Sequence, residues 1–211
     1  MKYDVAIVGA GPAGYFCAYE LITKKPDLKI VLIEKGLDIE HRRCPVLMHK
    51  MEKCPVNPKG YRECYPACSI TNGFGGAGAY SDGKFNITTE FGGWLGEYME
   101  KKELVDLIQY VDDINLAFGA TLEITNPDTP ITHEIEKRAM SVGLKLLKSK
   151  VRHLGTEENL KILTKIYYFL KDKVEMRFST AVKDIVVEDN NIKGLDEIIH
   201  PCHYMSQFLL Y

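Results

Sequence analysis

Gly9, Gly11 and Gly14 leave a stretch of main chain almost bare, directly after an apolar segment and before a helical one. In a Gly-x-Gly-x-x-Gly pattern the first glycine permits a tight turn. The second lets a pyrophosphate approach the backbone without meeting a Cβ, and the third lets helix and strand pack closely. The helix start adds unpaired N–H groups and the positive end of a dipole, both suited to phosphate oxygens. Pro12 fits the first helical turn, where a missing N–H costs nothing. Glu34 lies twenty residues past Gly14, where a carboxylate can accept hydrogen bonds from ribose hydroxyls and disfavours a 2′-phosphate. The set predicts a site for the ADP half of a dinucleotide. It does not separate FAD from NAD.

Other residue types bear chemistry with less order. Cys44, Cys54, Cys64 and Cys68 are separated by nine, nine and three residues. Structural zinc sites usually hold pairs two to four residues apart, and only the last pair approaches this. His41 and His49 add nitrogen donors. A metal or cluster, buried thiols and redox-active thiols all stay open, and no metal ligand is assigned. Arg152 and His153 stand near Gly155; a histidine there can donate a proton to a substrate or be purely structural. No catalytic residue is assigned. Ser81, Asp82 and Lys84 are either polar contacts to a ligand or parts of a turn.

The elements that must position these residues follow from periodicity. Tyr3 to Val8 reads as a strand buried on both faces, and Leu28 to Ile33 as a second. Between them a helix to about Lys24 turns Ala13, Gly14, Cys17, Ala18, Leu21 and Ile22 toward the sheet, which makes Cys17 a core residue. Two strands joined by one crossover helix run parallel. From Gly36 to Asn72 four prolines and four cysteines replace any periodicity, the pattern of a long irregular insertion. Gly73 to Gly83 is a glycine-rich turn region. A helix carrying Leu104, Leu107, Ile108, Val111, Ile114 and Phe118 follows, ended by Gly119. A second helix is predicted from after Thr132 to near Gly143. Leu144 to Leu154 is a lysine-weakened strand, and a further helix begins at Thr156. Val174 to Glu188 reads as two strands, with Asp189-Asn190-Asn191 turning into Ile192–Leu195. Beyond Leu195 the pattern fails, and Cys202 belongs to that tail.

The expected fold class is thus α/β: a Rossmann-like parallel sheet with a Cys-rich insertion and a mainly helical middle segment. Residues 1–95 form the nucleotide-binding βαβ unit with the insertion at 36–72. Residues 96–172 form the helical, substrate-side segment, 173–195 the returning strands, and 196–211 an atypical tail.

Composition excludes several partners. Of 211 residues 45% are apolar and 27% charged, and Lys+Arg 27 nearly balances Asp+Glu 29 for a net charge of −2. No basic excess points to nucleic acid. No apolar run reaches the roughly 20 residues that span a bilayer, and the start Met1-Lys2-Tyr3-Asp4 leads to the expectation that no signal peptide precedes the first strand. A cytoplasmic protein acting on a small-molecule substrate is expected, with oligomeric state open.

Residues 1 to about 36 resemble the N-terminus of the glutathione-reductase-type flavoprotein superfamily. The run from Cys44 through Cys54, Cys64 and Cys68 into Gly73-Phe74-Gly75-Gly76-Ala77-Gly78-Ala79-Tyr80-Ser81-Asp82-Gly83-Lys84 resembles a bacterial family of largely uncharacterised FAD-dependent dehydrogenases. Val151 to Glu157 and Val174 to Leu195 are similar to the same family. The resemblance implies FAD as cofactor, with NAD(P)H as an electron donor. It implies a cofactor-binding set of Gly9, Gly11, Pro12, Ala13, Gly14, Glu34, Lys35, Gly75, Gly76 and Val182. Gly75 and Gly76 would approach the pyrophosphate or flavin, and Ala181-Val182 would hold adenine through the backbone. Enzymes of the superfamily are roughly twice this length, since two domains enclose flavin and substrate. The expectation is therefore an N-terminal part of such an enzyme, its strand edges lacking partners. Two other functions stay open: an NAD-using thiazole-synthase-like protein, and a non-catalytic nucleotide-binding fragment.

Overall fold

A computed structural model describes residues 2–55, 64 and 66–199. Cys202 and the tail beyond residue 199 lie outside the described residues. In chain order the first elements are β1 (Val5–Val8), α1 (Pro12–Lys24), β2 (Ile30–Ile33) and β3 (Lys84–Ile87). Then come α2 (Lys101–Ala117), α3 (Pro130–Ser141), β4 (Lys150–His153) and α4 (Gly155–Lys171). The last are β5 (Glu175–Arg177), β6 (Thr180–Glu188) and β7 (Asn191–Ile199). The chain divides into two units, Met1–Tyr80 with Leu163–Tyr211, and Ser81–Ile162.

The first unit is built on a three-stranded parallel sheet in the order β1-β2-β5. The class is α/β, as the crossover argument requires. β2 is the central strand and all four of its residues are buried. β1 is different: Ala6 and Val8 are exposed, Val8 by 57%. The expectation of burial on both faces fails because β1 lies at an edge of this sheet, which its apolar run alone does not reveal. On α1 the buried residues are Gly14, Tyr15, Ala18 and Ile22, whereas Ala13 and Cys17 are exposed. At about 100° per residue the buried arc is centred between Gly14 and Tyr15, and Cys17 falls past its edge. Cys17 is not a core residue.

An aromatic cluster anchors the glycine-rich block. Phe74 is fully buried, stacked on Tyr15 at 5.7 Å and edge-on to Tyr167 at 5.2 Å. Tyr167 is one of a buried set on α4 with Leu163, Ile166 and Leu170. β6 and β7 form an antiparallel hairpin joined at Asp189 and Asn190, whose φ values are +50° and +59°. That left-handed pair suits the twist of a two-residue hairpin. β7 runs on through Asp196 and Glu197 to Ile199, beyond the predicted limit of Leu195. Pairing with β6 extends it, and Glu197 accepts from Arg177 at 3.0 Å.

In the second unit β3 and β4 pair antiparallel, so the predicted strand over Leu144 to Leu154 narrows to its last third. α3 begins two residues before Thr132, because Thr129 caps it through the Thr132 N–H and Pro130 occupies the first turn. α2 buries Leu104 and Ile114 as predicted, but also Asp112 and Asn115. Leu107 is 42% exposed.

Candidate nucleotide-binding site

The end of β1, the start of α1, the end of β2 and the start of β6 converge on one crevice within the first unit. Its volume is about 330 Å³, and Gly9, Gly11, Glu34, Lys35, Gly76 and Val182 line it, together with Thr71, Asn72, Gly73, Thr180 and Ala181.

Each glycine of the fingerprint has a separate steric role. Gly9 has φ +96°, a conformation that side-chain-bearing residues rarely adopt. A Cβ on Gly11 would meet nothing within 4 Å, so the space beside this residue is open. A Cβ on Gly14 would lie 1.8 Å from the Gly9 carbonyl oxygen, and α1 packs on the turn only because that atom is missing. Gly11 is the N-cap of α1 and makes no side-chain cap. Pro12 has no N–H, and helix geometry gives the remaining first-turn amides no intrahelical acceptor. Pro12 and Ala13 are exposed at this helix start and, like Gly14, do not line the crevice.

Gly76 faces the fingerprint from the other side. A Cβ there, at φ +58°, would come within 3.1 Å of Gly11 Cα. Gly75 does not share this position. Its N–H donates to the Ala10 carbonyl at 2.8 Å, and a Cβ on it would meet Leu163 and Ala79. The expected approach of Gly75 to a ligand is corrected: it faces the packed interior, and Gly76 alone of the pair lines the crevice. Consecutive residues at positive φ (+86° and +58°) put their faces on different sides of the loop.

Glu34 is 7% exposed and its carboxylate gathers three loops. Oε2 accepts from the Ala10 N–H at 2.8 Å, while Oε1 accepts from Gly36 at 2.8 Å and Gly73 at 3.0 Å. A carboxylate has about four acceptor directions, so one on Oε2 remains for a hydroxyl. Glu34 thus borders the crevice and also holds its rim together.

Several site residues were not legible in sequence. Thr71, Asn72 and Gly73 close the return of the insertion. Thr180, whose N–H donates to the Glu34 carbonyl at 3.0 Å, arrives from a strand far along the chain. Arg42 is buried and positions this rim. Its Nε and Nη2 donate to the Ser69 carbonyl, and its Nη1 donates to the Phe74 carbonyl at 2.5 Å. Burial lowers its pKa, opposed by the phenol of Tyr80 and by Glu34. A single arginine in an aperiodic loop gives no sequence signal of this role.

The remaining candidates fall elsewhere. Arg152 is 5% exposed and paired with Asp112, while His153 is exposed. Asp82 and Lys84 pair with each other at 2.7 Å on the surface, and Ser81 Oγ accepts from Gly83 N in a turn. Cys44, Cys54, Cys64 and Cys68 are half-buried. His41 turns to Asp38 at 2.8 Å. Among the described residues no group of three or more His, Cys, Asp or Glu side chains is placed to hold a metal ion. Among the described residues no helix is long and apolar enough to cross a membrane.

Residues 1–40 match a model of the Thi4 family. Over 34 residues the chain is 62% identical to the thiamine thiazole synthase of Coprinopsis cinerea and 59% identical to that of Uromyces fabae. Each match covers 16% of this chain, and only 11% and 10% of those relatives. In three dimensions 93% of the chain superposes on 43% of a 3-ketosteroid-Δ4-(5α)-dehydrogenase of Rhodococcus jostii, with 10% identity and a TM-score of 0.50. The chain has a Rossmann-type α/β fold, and its likeness to thiazole synthases lies in the stretch that carries the glycines and Glu34.

Proposed function

We propose that this chain is the nucleotide-holding portion of an FAD-dependent oxidoreductase. One observation carries the reading: bare backbone at Gly11, open for 4 Å around the missing Cβ, lines a crevice that Gly76 and Glu34 also border. That open space beside the backbone fits a diphosphate, and the free direction on Glu34 Oε2 fits a ribose hydroxyl. Main chain at Gly9, Gly11 and Gly76 would hold the pyrophosphate of FAD, with Lys35 beside it. The Val182 backbone would border the adenine. The flavin supplies electron transfer when bound, while the protein binds and orients it. NAD(P)H as electron donor, a small-molecule substrate and a cytoplasmic setting complete the reading.

A second reading is favoured by the sequence match to the Coprinopsis cinerea protein. It is a thiazole-synthase-like protein that takes NAD as a substrate in the same crevice. The relatives matched are thiamine thiazole synthases and not bacterial dehydrogenases, so the narrower bacterial assignment has no support from them.

The test is the visible spectrum of the purified chain, followed by mass identification of the nucleotide released on heating. Yellow protein releasing FAD supports the first reading. Colourless protein releasing NAD or an adenylated derivative supports the second. A chain that retains neither, and takes up neither when supplied in excess, overturns both.

A further inference from the structure

Tyr80 is not among the residues that line the crevice, yet its side chain holds Arg42 at both ends. The hydroxyl donates to the Arg42 carbonyl. The guanidinium carbon lies 5.1 Å from the centre of the phenol ring, within reach of a cation–π contact. Burial holds the pKa of the phenol above its ordinary value, so the donor keeps its proton at neutral pH.

Two paths lead from this pair to the crevice. Through its guanidinium, Arg42 donates to the carbonyls of Ser69, Ile70 and Phe74, which bracket Thr71, Asn72 and Gly73 on the crevice wall. Through the main chain, Tyr80 ends the short 3₁₀ helix Gly76–Tyr80. The first residue of that helix stands on the crevice wall, and its N–H donates to the Gly73 carbonyl at 2.9 Å. The paths meet at Gly73, whose own N–H donates to Glu34. There is no slack at this junction, since a Cβ on Gly73 would lie 2.6 Å from Arg42 Cδ. Thr71 is exposed and Asn72 half-buried, so polar contacts rather than apolar burial hold this part of the wall.

We propose that Tyr80 is a positioning residue for the nucleotide: by gripping Arg42 it keeps the Thr71–Gly73 wall and Gly76 at the spacing the ligand requires. The inference rests on the nucleotide reading of the crevice and applies to FAD and NAD alike. Tyr80 acts through Arg42 and Gly76 and not by contact with the ligand. A wall that samples other arrangements lowers the apparent affinity by the fraction of the time it is competent.

Equilibrium titration of the full chain with FAD and with NAD, beside thermal melts, tests this. Tyr80→Phe keeps the ring and removes the donor, and the Kd of the nucleotide that binds rises by about threefold to tenfold. Tyr80→Leu removes both contacts and weakens binding further, so the Phe variant is a partial rescue. Asp112→Ala, in the second unit, is the control for a purely structural effect: it lowers Tm and leaves Kd unchanged. If Tyr80→Phe behaves like that control, with Kd unchanged, the inference falls and the nucleotide reading stands. If the unaltered chain binds neither FAD nor NAD, both fall. Should Tyr80→Leu fail to fold, the Phe variant against the unaltered chain still decides.

Discussion

The guanidinium of Arg152 lies against the carboxylate of Asp112 in a two-point contact, with Nε donating to Oδ1 and Nη2 to Oδ2, each at 2.7 Å. Both side chains are almost wholly buried, and the pair ties β4 to α2. Donation to the Asp112 carboxylate raises the pKa of Arg152 against the opposing effect of burial, so the charge persists. Asp112→Ala leaves that buried cation without its carboxylate, with only the Thr121 and Glu123 carbonyls to accept from it, and the expected loss is about 3–5 kcal/mol by urea denaturation. Replacing both residues with apolar ones of similar volume recovers most of it. Equal losses in the single and double variants would count against this account.

The glycines of the fingerprint separate stability from binding. Gly11→Ala has φ −71° to accept it and meets nothing within 4 Å, and its gain in chain entropy is offset by alanine's poorer fit at an N-cap, so stability changes by less than about 1 kcal/mol. Its nucleotide retention falls, since the new methyl occupies the crevice. Gly14→Ala places a methyl 1.8 Å from a backbone oxygen and destabilises by about 1–3 kcal/mol or more. Paired denaturation and nucleotide-release measurements check the contrast.

Stability should form a plateau that falls at both ends of the pH range. Glu175 is held below its ordinary pKa by the Tyr3 hydroxyl and by Arg177, and Glu136 by Lys148. Their contribution is present above the ordinary carboxylate range and is lost as pH falls through the lowered values. Burial pushes the Tyr167 phenol up to about 12 and raises Tyr15 as well. Their contribution is present below the ordinary value of 10.0 and is lost as pH rises toward the raised ones. Tm measured from acid to alkaline pH checks this, and Glu175→Gln should flatten part of the acid limb.

At the β6–β7 hairpin, Asn190→Gly should raise stability by a few tenths to about 1 kcal/mol, because glycine adopts φ +59° without steric cost. Asn190→Pro, which fixes φ near −65°, should melt the hairpin. Circular dichroism melts of both variants give the answer.

Local chemistry made the first unit readable. A glycine spacing, a helix start and an acid at the end of a strand lie within thirty-four residues, and each acts on its neighbours. What stayed hidden depends on partners distant in the chain. The helical stripe that includes Cys17 fixes a direction but not the width of what covers it, and the apolar run through Val8 does not say which strand stands at the edge of the sheet. Asp112 sits on a face recognised only by its apolar members, and its partner lies forty residues on. Gly75 and Gly76 look alike in sequence, and only the backbone twist between them assigns one to the interior and the other to the crevice. Asp196 and Glu197 broke the alternation that marks a strand, yet pairing with β6 and the pull of Arg177 carry β7 through them.

If the crevice holds the proposed nucleotide, the threefold grip of Glu34 constrains how its preference can change. Exchanging that acid for a neutral or basic residue, the simplest route to admitting a 2′-phosphate, would strip acceptors from the amides of Ala10, Gly36 and Gly73 at the same moment. Any lineage that switched would have to rebuild three loop junctions along with one side chain. On that proposal, selectivity at this position is tied to foldability.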